Sequence, residues 1–176
     1  MDTSYAERIA VILADLGIAP DYGSGRGMGL QPETERRTTA RVLPNGRELT
    51  LLPETAAAWE AMRTSAAADD VTLLLISGFR SVDYQRQIIE RKVARGDSLD
   101  TILRVNAAPG YSEHHTGRAV DIGTPGSTPL EEEFENTDAF RWLTRNAGRF
   151  RFHLSYPRNN PQGIVYEPWH WLHSVP

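Results

Sequence analysis

Ser112-Glu113-His114-His115-Thr116-Gly117-Arg118-Ala119-Val120-Asp121 is the stretch that decides how this chain reads, and Glu167-Pro168-Trp169-His170, near its end, completes it. The two segments combine imidazoles with a carboxylate and place a second carboxylate three residues before the last imidazole. A catalytic zinc site takes three protein ligands, keeps one position open for water and has a base beside it. His114, Asp121 and His170 read as the ligands and Glu167 as the base. With three such ligands a metal keeps net positive charge, and the pKa of its water falls to about 7. Glu167 is then the group to take that proton and pass it on. An oxyanion developing in such a site needs a fixed cation. Arg80, in Ser77-Gly78-Phe79-Arg80-Ser81 just after an apolar run, is the candidate.

Spacing adds structural content. Alternate residues of an extended chain share a face, so Ala119 and Asp121 look to the metal while Val120 and Ile122 look to the core. Gly117 lies between His114 and Asp121, where the backbone can bend or be closely approached. The same alternation separates His115 from His114 and sends it behind the ligands or to the surface. Glu113, next to a ligand, is expected to face solvent. His153 lies in an apparent strand, Phe150 to Leu154, and is a candidate for the pocket wall; neither it nor His173 has a partner at ligand spacing.

These segments resemble the VanY-type D-alanyl-D-alanine carboxypeptidases, within the wider group of LAS metallopeptidases (lysostaphin, D-Ala-D-Ala peptidases, sonic hedgehog). Three blocks carry the likeness in family order: Ser77-Gly78-Phe79-Arg80-Ser81 with Gln85 shortly after, Ser112-x-His114-x-x-Gly117-x-Ala119-x-Asp121, and Glu167-Pro168-Trp169-His170. The resemblance covers roughly residues 50 to 173. It implies one Zn2+ per chain held by His114, Asp121 and His170, Glu167 as catalytic base, and Arg80 as the contact for the transition state or the substrate carboxylate. It also implies that Ser112 and Gln85 help hold the peptide terminus. The fold implied is the LAS/hedgehog-like peptidase fold, a single α+β domain with a small, mainly antiparallel sheet flanked by helices. Residues 1 to about 48 match nothing in the family and read as an N-terminal helix and arm ahead of a catalytic core over 49–176.

The 176 residues suffice for one domain with a real core. A net charge of −4 and the lack of a basic, aromatic stripe give no reason to expect nucleic acid. With no cysteine the chain has neither disulfides nor thiolate metal sites, and no apolar stretch approaches the ~20 residues of a membrane span. Asp2 to Leu16 reads as an amphipathic helix, capped by Asp2 or Thr3 and stopped at Gly17, with Ile9, Ile12, Leu13 and Leu16 in its apolar stripe. That is not a secretory apolar region. The chain as written therefore reads as cytoplasmic, and an envelope substrate requires another export route or a leader already removed.

Residues 18 to 37 form a Gly/Pro/polar arm draped over the body, and its alternating glycines, Gly23 to Gly29, read as a flexible loop without phosphate-binding spacing. Thr38–Leu43 and Arg47–Leu52 flank Pro44-Asn45-Gly46, a hairpin signal. Pro53 opens a helix to about Ala68, with Ala57, Trp59 and Met62 buried, and Val71 to Ile76 reads as a central strand. Helices follow over Ser81–Ala94 and Ser98–Val105, then the metal strand Arg118–Ile122. Gly123 to Asn136 reads as a mobile or insertion-like stretch whose acidic run, Glu131 to Glu135, is most simply a solvated loop or helix end and alternatively repels or orients a charged substrate. A helix from Thr137 to Ala147 and closing strands at Phe150–Leu154 and Ile164–Tyr166 complete an α+β order.

The expected function is removal of a terminal D-amino acid, D-Ala, from peptidoglycan stem peptides or their precursors by a monomeric zinc carboxypeptidase. A phage-lysin-type endopeptidase and a D-Ala-D-Ala dipeptidase are the alternatives within hydrolases. A zinc-stabilised binding module is the alternative of another class. It needs neither base nor oxyanion cation, whereas this chain has candidates for both in Glu167 and Arg80.

Overall fold

The computed structural model describes residues 3–175. The expected cap of the first helix falls on Asp2 and the Thr3 side chain, outside the described residues. Helix α1 (Thr3–Asp15) and the short α2 (Tyr22–Gly25) precede a hairpin of β1 (Thr38–Val42) and β2 (Glu48–Leu51), antiparallel about the turn foreseen at Pro44-Asn45-Gly46. Then come α3 (Pro53–Ala68), β3 (Leu74–Ser77), α4 (Val82–Ala94), α5 (Leu99–Val105), β4 (Ala119–Gly123), α6 (Asp138–Asn146), β5 (Phe152–Leu154) and β6 (His170–His173). Local signals set several boundaries. Ser81 and Thr137 cap α4 and α6 by accepting the Tyr84 and Phe140 N–H groups.

The second sheet runs β3-β4-β6-β5 and is antiparallel throughout, which makes the fold α+β as expected. In its register Asp121 faces His170 across β4 and β6, and Ser77 on β3 pairs with Asp121 from the other side. Val120 pairs with Trp171 and points away from those groups. Together with Ile122 they enter the main core with Trp59 and Met62 of α3, Leu143 of α6 and Phe152 of β5. The inward face of α3 is Thr55, Trp59, Met62 and Ala66, a helical period. Ala57 lies off that stripe and is exposed, contrary to the sequence reading.

Three further expectations are corrected. β3 is an edge strand and begins at Leu74, because Val71 is used to close α3: Asp70 turns left-handed (φ 58°) and the Val71 N–H returns to Ala66 O. Arg41 covers one carbonyl of that edge, donating from Nη1 to Leu75 O at 2.6 Å. Ile164–Tyr166 forms no strand but is tied to α5 by Val165 N–H to Arg104 O. The segment from Gly123 to Asn136 is not loose throughout, since Phe134, in a 3-10 turn over Glu132–Asn136, is buried in the main core.

A second apolar cluster joins Ile9, Ile12 and Leu13 of α1 to Val82 and Ile89 of α4 and Ile102 and Leu103 of α5. The arm after α1 does drape over the body: Gln31 N–H reaches Gly110 O, Thr34 N–H reaches His115 O, and Glu33 accepts the Val82 N–H. Arg26 donates to Leu103 O and Gln162 O. The glycine-rich stretch is not a loose loop at its start, because α2 packs Tyr22 edge-on against Tyr111, ring centroids 5.2 Å apart. Among the described residues no helix is long and apolar enough to cross a membrane.

Gly117 links a 3-10 turn (Glu113–Thr116) to β4 with φ 68°, and its missing Cβ would lie 2.8 Å from Leu52 N, whose N–H it accepts. Gly117→Ala is expected to lower stability by about 1–3 kcal/mol in urea unfolding. Gly29→Ala, with nothing within 4 Å of its added carbon, should change stability by no more than about 1 kcal/mol. Equal losses in the two variants would refute the steric assignment.

Candidate active site

Behind β3 the chain passes Thr50 so closely that a Cβ on Gly78 would sit 2.6 Å from its carbonyl oxygen. That approach puts Gly78 O where it accepts the His114 Nδ1–H at 2.7 Å. The tautomer is thereby set, and His114 Nε2 turns its lone pair toward Asp121 Oδ2, 3.3 Å away. From the other side His170 Nδ1 lies 3.2 Å from Asp121 Oδ1. The two imidazole planes stand nearly perpendicular, 88° apart. Ligand atoms of His114, Asp121 and His170 all lie within 4.8 Å of one another, and all three residues are buried. Tetrahedral ligands near 2.1 Å from a zinc ion are about 3.4 Å from each other. The Asp121 contacts, 3.3 Å from Oδ2 to His114 and 3.2 Å from Oδ1 to His170, are each near that length, though through different carboxylate oxygens.

Glu167 places Oε2 3.7 Å from His170 Nδ1. Burial pushes its carboxyl up to about 7, with Asp121 and Glu113 adding to the rise and His170 and Arg80 opposing it. Burial also disfavours the Asp121 carboxylate, but His114 and His170 outweigh it and hold its pKa far below the ordinary value. Arg80 enters from the loop between β3 and α4, with Nη2 3.9 Å from Asp121 Oδ2. Its Nη1 donates to Gln85 Oε1 at 2.9 Å, while Gln85 Nε2 donates to Ala107 O at 2.7 Å. Gln85 is fully buried behind Arg80, with both ends of its amide occupied. Ser112 lines the pocket and makes no side-chain cap to the turn it precedes.

The ligand turn departs from the extended geometry read from sequence. Residues Glu113–Thr116 form a 3-10 turn, in which successive side chains are about 120° apart rather than on opposite faces. Glu113 therefore turns inward, not to solvent: its Oε2 accepts from Ser155 Oγ at 2.6 Å and from His170 Nε2 at 2.9 Å. His170, held between Asp121 and Glu113, has its pKa raised to about 10, although burial alone would lower it. His115 rotates behind the site and is fully buried. It accepts the Gly110 N–H at Nε2 and donates from Nδ1 to Arg80 O at 2.6 Å. His153 is exposed and does not line the pocket. His173 is buried at the far end of β6, its Nδ1 3.0 Å from Thr55 Oγ1.

The metal-capable trio, Glu167, Arg80 and Ser112 open into one pocket of about 460 Å³. Val105, Leu130, Ile164 and Trp169 supply apolar wall, and Lys92, hydrogen-bonded to Asn106 Oδ1 at 2.5 Å, supplies a second cation. Glu131 and Glu132 also line its rim while remaining exposed, as expected of the acidic run, and Glu132 and Glu135 pair with Arg158. Tyr156 is buried with its ring 4.9 Å from that of His170. Glu113, Ser155, Tyr156 and Lys92 were not foreseen. Only Glu113 carried a signal, as a carboxylate inside the ligand block.

The fold is that of the LAS/VanY peptidases. The chain belongs to the VanY family within them: the family model described as VanY, D-alanyl-D-alanine carboxypeptidase, matches residues 48–175. It is 34% identical over 117 residues to the D-alanyl-D-alanine carboxypeptidase of Enterococcus faecalis (strain ATCC 700802 / V583), a match covering 61% of this chain and 42% of that protein. The chain thus spans less than half the length of that relative. Among solved structures it is similar to VanYB in complex with D-alanine-D-alanine, with 29% identity and a TM-score of 0.65 over 84% of this chain and 82% of that one. It is also similar to a vancomycin-resistance D,D-pentapeptidase VanY mutant in complex with Zn(II), with 28% identity and a TM-score of 0.61 over 82% of this chain and 86% of that one.

His115 tests how the site is supported. His115→Phe leaves the Gly110 N–H and Arg80 carbonyl without partners, each worth about 1–3 kcal/mol when buried. Urea unfolding should therefore show a loss of roughly 2 kcal/mol or more, and an unchanged midpoint would mean that the two bonds are dispensable.

Proposed function

We propose that this chain is a zinc-dependent carboxypeptidase that removes a terminal D-amino acid, D-Ala, from peptidoglycan stem peptides, with Glu167 as general base. The observation that carries the proposal is the convergence of His114, Asp121 and His170 with Glu167 and Arg80 in one pocket. Family membership supports the reaction class. The similarity to structures that hold Zn(II) and D-alanine-D-alanine supports the metal and the substrate.

Zinc would be held by His114 Nε2, an Asp121 carboxylate oxygen and His170 Nδ1, and when bound it supplies Lewis acidity and activates water. Glu167 Oε2 takes the proton of the attacking water and returns it to the departing amine nitrogen. Arg80 offers a planar fork of donors that stays charged, suited to the peptide's terminal carboxylate or to the oxyanion formed at the scissile carbonyl. Gln85 contributes by aiming Arg80, since its own amide is occupied on both sides. Ser112, beside His114 on the pocket wall, gives the peptide terminus a hydroxyl. A binding module would have no use for a buried glutamate and a guanidinium beside the metal ligands, and this disfavours the non-catalytic reading.

Mass spectrometry of stem tetrapeptides and pentapeptides incubated with zinc-loaded protein tests the reaction. Loss of one terminal D-alanine is expected. Internal cleavage would make the chain an endopeptidase, hydrolysis of added free D-Ala-D-Ala to two D-alanines with the stem peptides left whole a dipeptidase, and no cleavage of any of them a binding module. Glu167→Gln should keep one zinc per chain while turnover falls about 10²–10⁴-fold; undiminished turnover would remove Glu167 as the base. Arg80→Ala should lower kcat/KM by about 10²-fold or more, and His114→Ala should abolish stoichiometric zinc in metal analysis.

A further inference from the structure

The outer side of His170 is built as deliberately as the inner one. An imidazole that binds a metal through one nitrogen keeps a proton on the other, and the acceptor of that proton decides which nitrogen is which. His170 Nδ1 faces Asp121 Oδ1 at 3.2 Å, on the side where His114 Nε2 also converges. Its Nε2 points the opposite way and meets Glu113 Oε2 at 2.9 Å. The same carboxylate oxygen accepts from Ser155 Oγ at 2.6 Å, so Glu113 is itself held in place. Ser155 follows β5 and its N–H reaches His170 O, which ties this outer pair to the strand carrying the ligand. His114 has a different arrangement, its outer nitrogen donating to the neutral Gly78 carbonyl.

We infer that Glu113 is a positioning residue for the metal: its carboxylate holds the proton on His170 Nε2, leaves Nδ1 as the donor, and raises the basicity of that imidazole. The inference rests on the proposed metal site of His114, Asp121 and His170. Glu113 touches neither substrate nor metal in this role, and Ser155 acts one step further out by fixing the Glu113 carboxylate. An unpaired outer nitrogen would let the His170 ring sample other orientations, and a neutral partner would make it a poorer donor. Outer partners of this kind are worth about 10–100-fold in metal affinity.

The experiment is zinc competition against a chromophoric chelator, for wild type, Glu113→Ala, Glu113→Gln and Ser155→Ala, with thermal melting of each metal-free protein. Glu113→Ala is expected to weaken zinc binding about 10–100-fold. Glu113→Gln, which keeps an oxygen to accept the Nε2 proton, should recover part of that loss, and Ser155→Ala should show a smaller one. In the zinc-loaded wild type, ¹⁵N NMR should show His170 protonated at Nε2 and metal-bound at Nδ1. Wild-type affinity in Glu113→Ala, or zinc at Nε2, overturns the inference. If Glu113→Ala does not fold, Glu113→Gln and the NMR assignment decide. A wild-type protein that binds no zinc would instead overturn the metal site itself, and His114→Ala marks that baseline.

Discussion

Asp121 and His170 stand directly opposite one another across β4 and β6, and most of the molecule can be understood as what keeps them there. In an antiparallel pair a slip of one residue exchanges the two faces of a strand. Such a slip would drive Val120 and Trp171 into the pocket and put Asp121 into apolar packing. The core therefore sets the site's register, because Val120, Ile122 and Trp171 interlock with Trp59 and Met62 on the far face. The site in turn compensates the core for accepting a charge there. An ionised carboxylate removed from water is tolerated only where partners surround it. Asp121 has the Arg80 guanidinium at 3.9 Å, and the two imidazole nitrogens at 3.2–3.3 Å lie where carboxylate and imidazoles can share one cation.

Around that pair the molecule gives each group of the proposed site a partner on its hidden side: Gly78 O behind His114, Glu113 behind His170, Gln85 behind Arg80. Groups oriented before substrate arrives need no reorganisation during reaction, which is where much of an active site's electrostatic effect originates. The two glutamates around His170 show how environment divides labour between identical side chains. Glu113, hydrogen-bonded to His170 and Ser155, has its pKa lowered despite burial, whereas burial without such bonds raises Glu167 to about 7. One is suited to remain an anion and the other to exchange a proton.

The parts legible in sequence are those whose signals are local. Pro44-Asn45-Gly46 specifies a turn, Ser81 and Thr137 specify helix starts, and the spacing of His114, Asp121 and His170 survives into the folded site because β4 and β6 are neighbours. What failed depended on geometry that the chain does not announce. The alternation argued for His114 and His115, and the outward placing of Glu113, took an extended chain where a 3-10 turn forms. The edge position of β3 follows from the order of strands far apart in the chain, and its late start from Asp70 adopting a backbone usually left to glycine. Phe134 shows the reverse problem: a lone aromatic in an acidic run reads as solvated until the core that receives it is known.

The arm ahead of the family region holds the body partly through side chains, Arg26 and Glu33 among them, and partly through its backbone. Gln31 and Thr34 hold Gly110 and His115 through main-chain N–H groups, so side-chain identity at these two places carries little of the information. Nearly any residue can present that donor; proline cannot. Two relatives could diverge beyond detection here and still brace the same ligand turn.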